Sequence, residues 1–226
     1  MERPEIIINV ASSLDGVIAS NKGALVLSST EDWIRVHELR NSVDALLVGV
    51  NTIVKDDPLL TVRYVQSKEP RPFRVILDSK CRIPKQANVI KNQDKNPTII
   101  FTSDEASLEK RENLKNLGVV VVPVSKNDAD GYLDLNEVLK ILKTQFKIKK
   151  LLVEGGSTII TQFVKHELVD LMYMFYAPVF AGGKKAKLLY EEEVVEDVAK
   201  TVNFDIIQVE KLGEGFFITL KLKKMK

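Results

Sequence analysis

The stretch from Val153 to Thr158, with the sequence Val-Glu-Gly-Gly-Ser-Thr, places two glycines and two hydroxyl side chains between a short apolar run and a segment of helical periodicity. Backbone N–H groups at the start of a helix lack partners within the helix, and the helix dipole adds positive potential there. Because glycine lets an anion approach the backbone closely, this turn predicts a pyrophosphate site. A tight strand-to-helix turn with Ser157 as N-cap explains the same residues equally well.

Two further segments place polar side chains after apolar runs. The segment Asp44–Arg63 carries Thr52, Asp56, Asp57 and Arg63 beyond a predicted strand, and ligands of open α/β sheets bind at the carboxyl ends of strands. The segment Asn9–Gly16 leaves the first strand through small residues against which a flat ring can lie. Simple turns, a helix cap and surface charges account for both segments without a ligand.

Short Val, Ile and Leu runs alternate with helical patterns along most of the chain, which predicts parallel strands joined by helical crossovers. The strands are expected at 6–11, 45–50, 74–77, 98–102, 119–122 and 150–153, and the helices at 31–40, 104–116, 135–144 and 157–166. After His166 the runs 168–180, 204–209 and 216–222 predict antiparallel strands that close one sheet edge. The expected fold class is α/β, a single domain over residues 1–226 with a mostly parallel central sheet flanked by helices.

Composition excludes several classes of function. Thirty-three Lys and Arg against 31 Asp and Glu give a net charge of +2, which argues against a nucleic-acid-binding surface. No apolar stretch is long enough to cross a bilayer, so we expect a cytoplasmic protein without a membrane partner. Cys81 is the only cysteine, and His37 and His166 are the only histidines, so we expect no metal site and an inert, buried thiol.

Segments spread over nearly the whole chain resemble, in order and spacing, the reductase domain of riboflavin biosynthesis, which has a dihydrofolate-reductase-like fold. These segments are Ser13–Gly16, Asp44–Arg63, Leu77–Ser79, Val153–Gly156 and Pro178–Gly183. The resemblance implies NADPH as the hydride donor. The cofactor-binding positions that it implies are Ala11, Thr52, Asp56, Ser79, Arg82, Gly155, Gly156, Ser157 and Thr158. Lys80 and Arg82 are expected to pair with a 2′-phosphate, unless both are only solvated charges.

The family's substrates are pyrimidines with a ribosylamino group and a 5′-phosphate, and the resemblance assigns them to Asn9, Arg40, Leu60, Arg63 and Glu154. The implied reaction reduces the ribosylamino group to a ribitylamino group, with hydride reaching C1′ of the opened imine. The arginines suit the phosphate. Catalytic residues stay unassigned, because Asp15 and Asp57 are both able to relay a proton through water.

Asn9 departs from the lysine that bacterial fused enzymes of this family typically carry, and its amide oxygen can accept from a ring amino group where lysine only donates. We therefore expect the undeaminated diaminopyrimidinone as substrate, and a stand-alone reductase, since the zinc signature of the deaminase is lacking. The alternatives are a uracil reductase acting after deamination and a non-catalytic NADPH or nucleotide sensor. The family also implies a homodimer, which we expect to form at the aromatic strand 171–176, interpreted as a sheet edge, unless that strand only fills its own core.

Overall fold

The computed structural model describes residues 2–20, 23–128, 130–184, 186–190 and 201–223. The chain divides into two compact units, the first comprising Met1–Glu5 and Glu38–Leu152 and the second comprising Ile6–His37 and Val153–Lys226. This division does not test the prediction of a single domain over residues 1–226, which stays a prediction.

The predicted alternation of strands and helices is present. The helices are α1 (Thr30–Asn41), α2 (Val50–Asp56), α3 (Leu108–Lys115), α4 (Leu135–Thr144) and α5 (Ser157–Lys165), with a short 3₁₀ turn at Asn88–Ile90. The strands are β1 (Glu5–Ser13), β2 (Val17–Ser20), β3 (Gly23–Ala24), β4 (Ala45–Gly49), β5 (Phe73–Leu77), β6 (Thr98–Ser103), β7 (Val120–Val124), β8 (Lys150–Val153), β9 (Leu171–Ala177), β10 (Lys187–Leu188), β11 (Phe204–Leu212) and β12 (Gly215–Leu222).

The first unit contains a run of strands in the order β8-β4-β5-β6-β7. Pairing is parallel from β4 through β7, and every residue of β4 and β6 is buried. Strands buried on both faces read as continuous apolar runs, which is why the sequence identified them. Helix α4 buries Leu135, Val138, Leu139 and Leu142 at helical spacing, and Asp134 caps its start.

The second unit contains strands in the order β11-β12-β9-β1. β9 runs parallel to β1, from Ile7 opposite Leu171 to Ser13 opposite Ala177, and antiparallel to β12. The prediction that residues 168–180 form an edge strand was therefore wrong, and their predicted antiparallel pairing holds towards β12 but not towards β1. Alternating burial reports which face of a strand is covered, and it carries no information about the direction or number of neighbours.

Two local features also differ from the sequence-based predictions. Helix α3 starts at Leu108 instead of residue 104, because the hydroxyl of Ser107 caps it by accepting from the Lys110 N–H. A second sheet in the order β10-β2-β3 was not predicted, since its strands contain only two to four residues. Strands this short carry no periodic signal.

Gly215, at the start of β12, lies against β9 more closely than any side chain permits. A Cβ atom there would lie 2.4 Å from the Tyr176 carbonyl oxygen and 2.5 Å from Cζ of Phe175. We expect Gly215→Ala to lower the free energy of unfolding by about 3 kcal/mol, because the backbone of β9 cannot yield as a flexible side chain would. Urea denaturation measures this, with Lys221→Ala at an exposed position of β12 as the control. Equal midpoints for the two variants would contradict the expectation.

Candidate functional site

Two arginines of the first unit converge on Thr61. Arg40, only 8% exposed, donates from Nη1 to the Thr61 carbonyl oxygen at 3.1 Å. Arg63 is exposed and donates from Nη1 to the Thr61 hydroxyl at 3.2 Å. Two guanidinium groups within hydrogen-bonding reach of one residue favour an anion with several oxygen acceptors, such as a phosphate.

The backbone before Thr61 follows an unusual path. Leu60, 3% exposed, has φ 47°, and Asp57 has φ 39°, so two non-glycine residues occupy the left-handed region. Asp57 is held by Asn88, which donates its backbone N–H to Oδ1 at 2.8 Å and its side-chain amide to the Asp57 carbonyl at 2.9 Å. These contacts give Asp57 a structural task, as the turn interpretation predicted. Leu60 and Asp57 fix the loop that carries Arg63.

The remaining predicted cofactor residues of this unit follow β4 and β5. Thr52 is half-buried within α2, and Asp56 is exposed at the end of that helix. Ser79 is half-buried in the turn after β5, and Arg82 is exposed and donates to Oδ1 of Asn51 at 3.0 Å. Arg82 therefore links the turn after β5 to the start of α2.

Cys81 is buried in the same turn, as predicted, with φ 49°. Burial and the neighbouring Asp78 carboxylate raise the pKa of the Cys81 thiol. A thiol in such surroundings is a poor nucleophile.

The glycine turn lies in the second unit, between β8 and α5. Gly155 has φ 118°, and, apart from its two chain neighbours, no atom of the described residues lies within 4 Å of the position where its Cβ would be. Gly156 is the N-cap of α5 without a side-chain cap, and Ser157 and Thr158 are the first residues of the helix. The interpretation of Ser157 as the N-cap was therefore wrong. An open backbone at a helix start fits a pyrophosphate group.

Asn9 contacts a charged residue that the sequence analysis missed. Its amide oxygen accepts from Nη2 of Arg35 at 2.8 Å, and Asn9 is 7% exposed. Arg35 also donates Nε and Nη2 to Oδ1 of Asp32, at 2.9 and 2.7 Å. Its Cζ lies 4.3 Å from the ring centroid of Phe217. The Asp32–Arg35 spacing of three residues on a predicted helix was the available signal, and the contact with Asn9 had none.

The other predicted residues of this unit are Ala11 and Glu154. Ala11 is half-buried within β1, and Glu154 is half-buried directly after β8. Both follow or lie within strands, at the positions from which the sequence analysis expected ligand contacts.

Asp15 fastens the loop that follows β9. Its carboxylate accepts from the Ser13 hydroxyl at 2.6 Å, from the Ala181 N–H at 3.0 Å and from the Gly182 N–H at 2.7 Å. The Ser13 hydroxyl, followed by these two N–H groups, lowers the pKa of Asp15 to about 2. Asp15 is thus a carboxylate at neutral pH and is not a general acid.

The pKa of Asp15 lies below its ordinary value of 3.8, so these hydrogen bonds stabilise the fold above about pH 4 and the contribution is lost as the pH falls towards 2. We expect Asp15→Asn to unfold at lower urea concentration than the wild type at neutral pH, with the difference shrinking below about pH 4. Asp94→Asn, at an exposed position, is the control. A difference that stays constant down to pH 2 would contradict this assignment.

In the described ranges, no helix is both long and apolar enough to span a bilayer. The same residues contain no group of three or more His, Cys, Asp or Glu side chains arranged to hold a metal ion.

Comparisons with known proteins show which family the chain resembles. The model of the RibD C-terminal domain matches residues 4–218. A protein of Methanothermobacter thermautotrophicus named 2,5-diamino-6-ribosylamino-4(3H)-pyrimidinone 5′-phosphate reductase is 35% identical over 98% of this chain and 99% of its own length. A protein of the same name from Aquifex aeolicus is 38% identical over 84% of this chain and 83% of its own.

Solved structures share the fold. Acinetobacter baumannii RibD superposes with a TM-score of 0.84 at 25% identity over 99% of this chain, which spans only 59% of that protein. The riboflavin biosynthesis reductase of Saccharomyces cerevisiae shows the same fold, with a TM-score of 0.75 at 19% identity over 99% of this chain and 91% of its own. The predicted α/β class, mostly parallel with antiparallel C-terminal strands, is confirmed. The chain belongs to the RibD C-terminal domain family of riboflavin biosynthesis reductases.

Proposed function

We propose that this protein reduces 2,5-diamino-6-(5-phosphoribosylamino)pyrimidin-4(3H)-one to the ribitylamino product with NADPH. The relatives of that name, 35% and 38% identical over most of their length, support the substrate. The observation that carries the proposal is the convergence of Arg40 and Arg63 on Thr61, because it provides two cationic donors for a 5′-phosphate.

The glycine turn of the second unit fits part of the cofactor. The open backbone at Gly155, followed by Gly156, Ser157 and Thr158 at the start of α5, suits the pyrophosphate. Thr52, Asp56, Ala11 and Ser79 are proposed to line the rest of the cofactor, and Arg82 is proposed to contact the 2′-phosphate that distinguishes NADPH from NADH. The chemistry that this cofactor supplies when bound is hydride transfer.

The protein side of the reaction is binding and orientation. Arg40 and Arg63 hold the phosphate, and Asn9 and Glu154 contact the pyrimidine, so that C1′ of the opened imine is presented for reduction. The proton that completes the amine is proposed to come from water, since Asp15 is ionised at neutral pH and Asp57 is engaged with Asn88.

The test is NADPH oxidation by the purified protein, followed at 340 nm with the diaminopyrimidinone and its deaminated uracil counterpart offered separately. We expect turnover of the diaminopyrimidinone. Preference for the uracil would support the second candidate, for which the specific observation is the likeness to a Thermotoga maritima protein named as a deaminase and 5-amino-6-(5-phosphoribosylamino)uracil reductase, 29% identical over 98% of this chain and 57% of its own. Binding of NADPH without turnover of either compound would point to a sensor.

We further propose that the protein works in the cytoplasm, where NADPH is available, and that it is a homodimer. The dimer interface was expected at β9 because that strand was interpreted as a sheet edge. β1 and β12 flank β9, so it is not an edge strand. Strand β11 instead exposes Ile206, Ile207 and Val209 by more than half. Light scattering on the purified protein decides the number of chains.

A further inference from the structure

Arg35 determines the orientation of the Asn9 amide. A guanidinium group has donors only, so it faces the amide oxygen of Asn9 and would repel the NH₂ group of the opposite flip. The Asn9 amide therefore points its oxygen towards Arg35 on α1, and its NH₂ group points away from Arg35. The oxygen retains a second lone pair, so Asn9 can still both donate and accept.

Arg35 is itself held rigidly. Its side chain is 17% exposed, and two of its N–H groups donate to the same oxygen of the Asp32 carboxylate. The Asp32 side chain is only 1% exposed. The ring of Phe217 supports its plane at 4.3 Å. The second carboxylate oxygen of Asp32 is buried without a hydrogen-bond partner among the described residues, so Asp32 has no competing partner there that draws it away from Arg35.

The two candidate pyrimidines present opposite edges. The diaminopyrimidinone, protonated at N3, offers an acceptor at N1 and an amino donor at C2. The uracil offers a donor at N1 and a carbonyl acceptor at C2. For a ring held in one orientation, an amide in one flip matches the first edge, and the reversed amide matches the second.

We propose that Arg35 is the specificity-determining residue of this site: by fixing the flip of Asn9, it makes the site match the diaminopyrimidinone and mismatch the uracil. This inference rests on the proposed function. Mismatched polar groups in a binding site discriminate strongly, because each leaves a buried donor or acceptor without a partner. Arg35 acts through Asn9 and is a positioning residue.

The test compares kcat/KM for the two pyrimidines in the wild type and in Arg35→Met. We expect the preference for the diaminopyrimidinone to fall about 10- to 100-fold, mainly through a higher KM for that compound, with the KM for NADPH unchanged. Arg35→Lys keeps a cationic donor and is expected to retain most of the preference. Lys140→Met removes the same charge from an exposed position of α4 and is expected to change nothing.

Arg35→Met leaves the buried Asp32 carboxylate unpaired and could unfold the chain. The double variant Asp32→Asn/Arg35→Met removes that charge, and its circular dichroism and thermal melt establish folding before the kinetics are measured. An unchanged preference in a folded variant would overturn the role of Arg35 and leave the reductase intact. A wild type that turns over neither pyrimidine would instead overturn the proposed function, and the inference with it.

Discussion

Replacing Arg63 by methionine is expected to reduce kcat/KM for the phosphorylated pyrimidine about 100-fold, equivalent to roughly 3 kcal/mol of lost binding in the transition state. Arg63 is exposed and donates a 3.2 Å hydrogen bond to the Thr61 hydroxyl, and we expect methionine at this surface position to leave the fold intact. The loss arises because one of two cationic donors to the 5′-phosphate disappears.

A substrate without the 5′-phosphate separates this effect from general damage. The wild type is expected to lose activity on the dephosphorylated compound, whereas Arg63→Met loses little more, since the interacting partner is already absent. Lys68→Met removes a cation from an exposed position of the same loop and serves as the control. An equal loss on both substrates would show that Arg63 does not bind the phosphate.

Replacing Gly155 by alanine is expected to weaken NADPH binding about 100-fold or more, because the pyrophosphate of the cofactor must approach the backbone closely at the start of α5. With φ 118°, Gly155 has a backbone conformation that L-residues rarely adopt, and the added methyl group enters the open space beside it. The backbone strain and the added methyl group both weaken anion binding at this turn.

Fluorescence titration with NADPH measures the loss. Gly131→Ala is the matched control, because Gly131 also has a positive φ, of 71°, and open space around its Cβ position, but lies in an exposed loop of the first unit. Binding of the pyrimidine by Gly155→Ala, measured by calorimetry, shows whether the rest of the site survives. Unchanged NADPH affinity in a folded Gly155→Ala protein would remove the glycine turn from the cofactor site.

The sequence predicted where the helices and strands lie better than it predicted which strands pair. Buried parallel strands such as β4 and β6 are apolar throughout, so composition alone identifies them. The parallel pairing of β9 with β1 was missed, since these strands lie far apart in sequence and leave no local mark. The start of α3 was misplaced because Asp104, Glu105 and Ser107 have polar side chains compatible with both a helix and a turn.

The candidate site was predicted through its backbone features more than through its contacts. A glycine pair before a helix has a direct physical meaning, and the open turn at Gly155 agrees with it. The hydrogen bond from Arg35 to Asn9 joins residues 26 positions apart on different elements, and the clamp of Asn88 on Asp57 joins residues 31 apart. Such contacts depend on tertiary packing, which no periodic pattern encodes.

β1 can pair with β9 only after most of the chain has been translated. The Ile6 N–H donates to the Asp170 carboxylate, 164 residues later, and β9 starts directly afterwards. At typical translation rates the first strand waits about 8 to 30 seconds for this neighbour. Through that interval the ribosome carries a nascent chain with an isoleucine-rich segment that lacks one of its native partners. During that interval an apolar strand without its partner is prone to aggregation, so a chaperone would protect it.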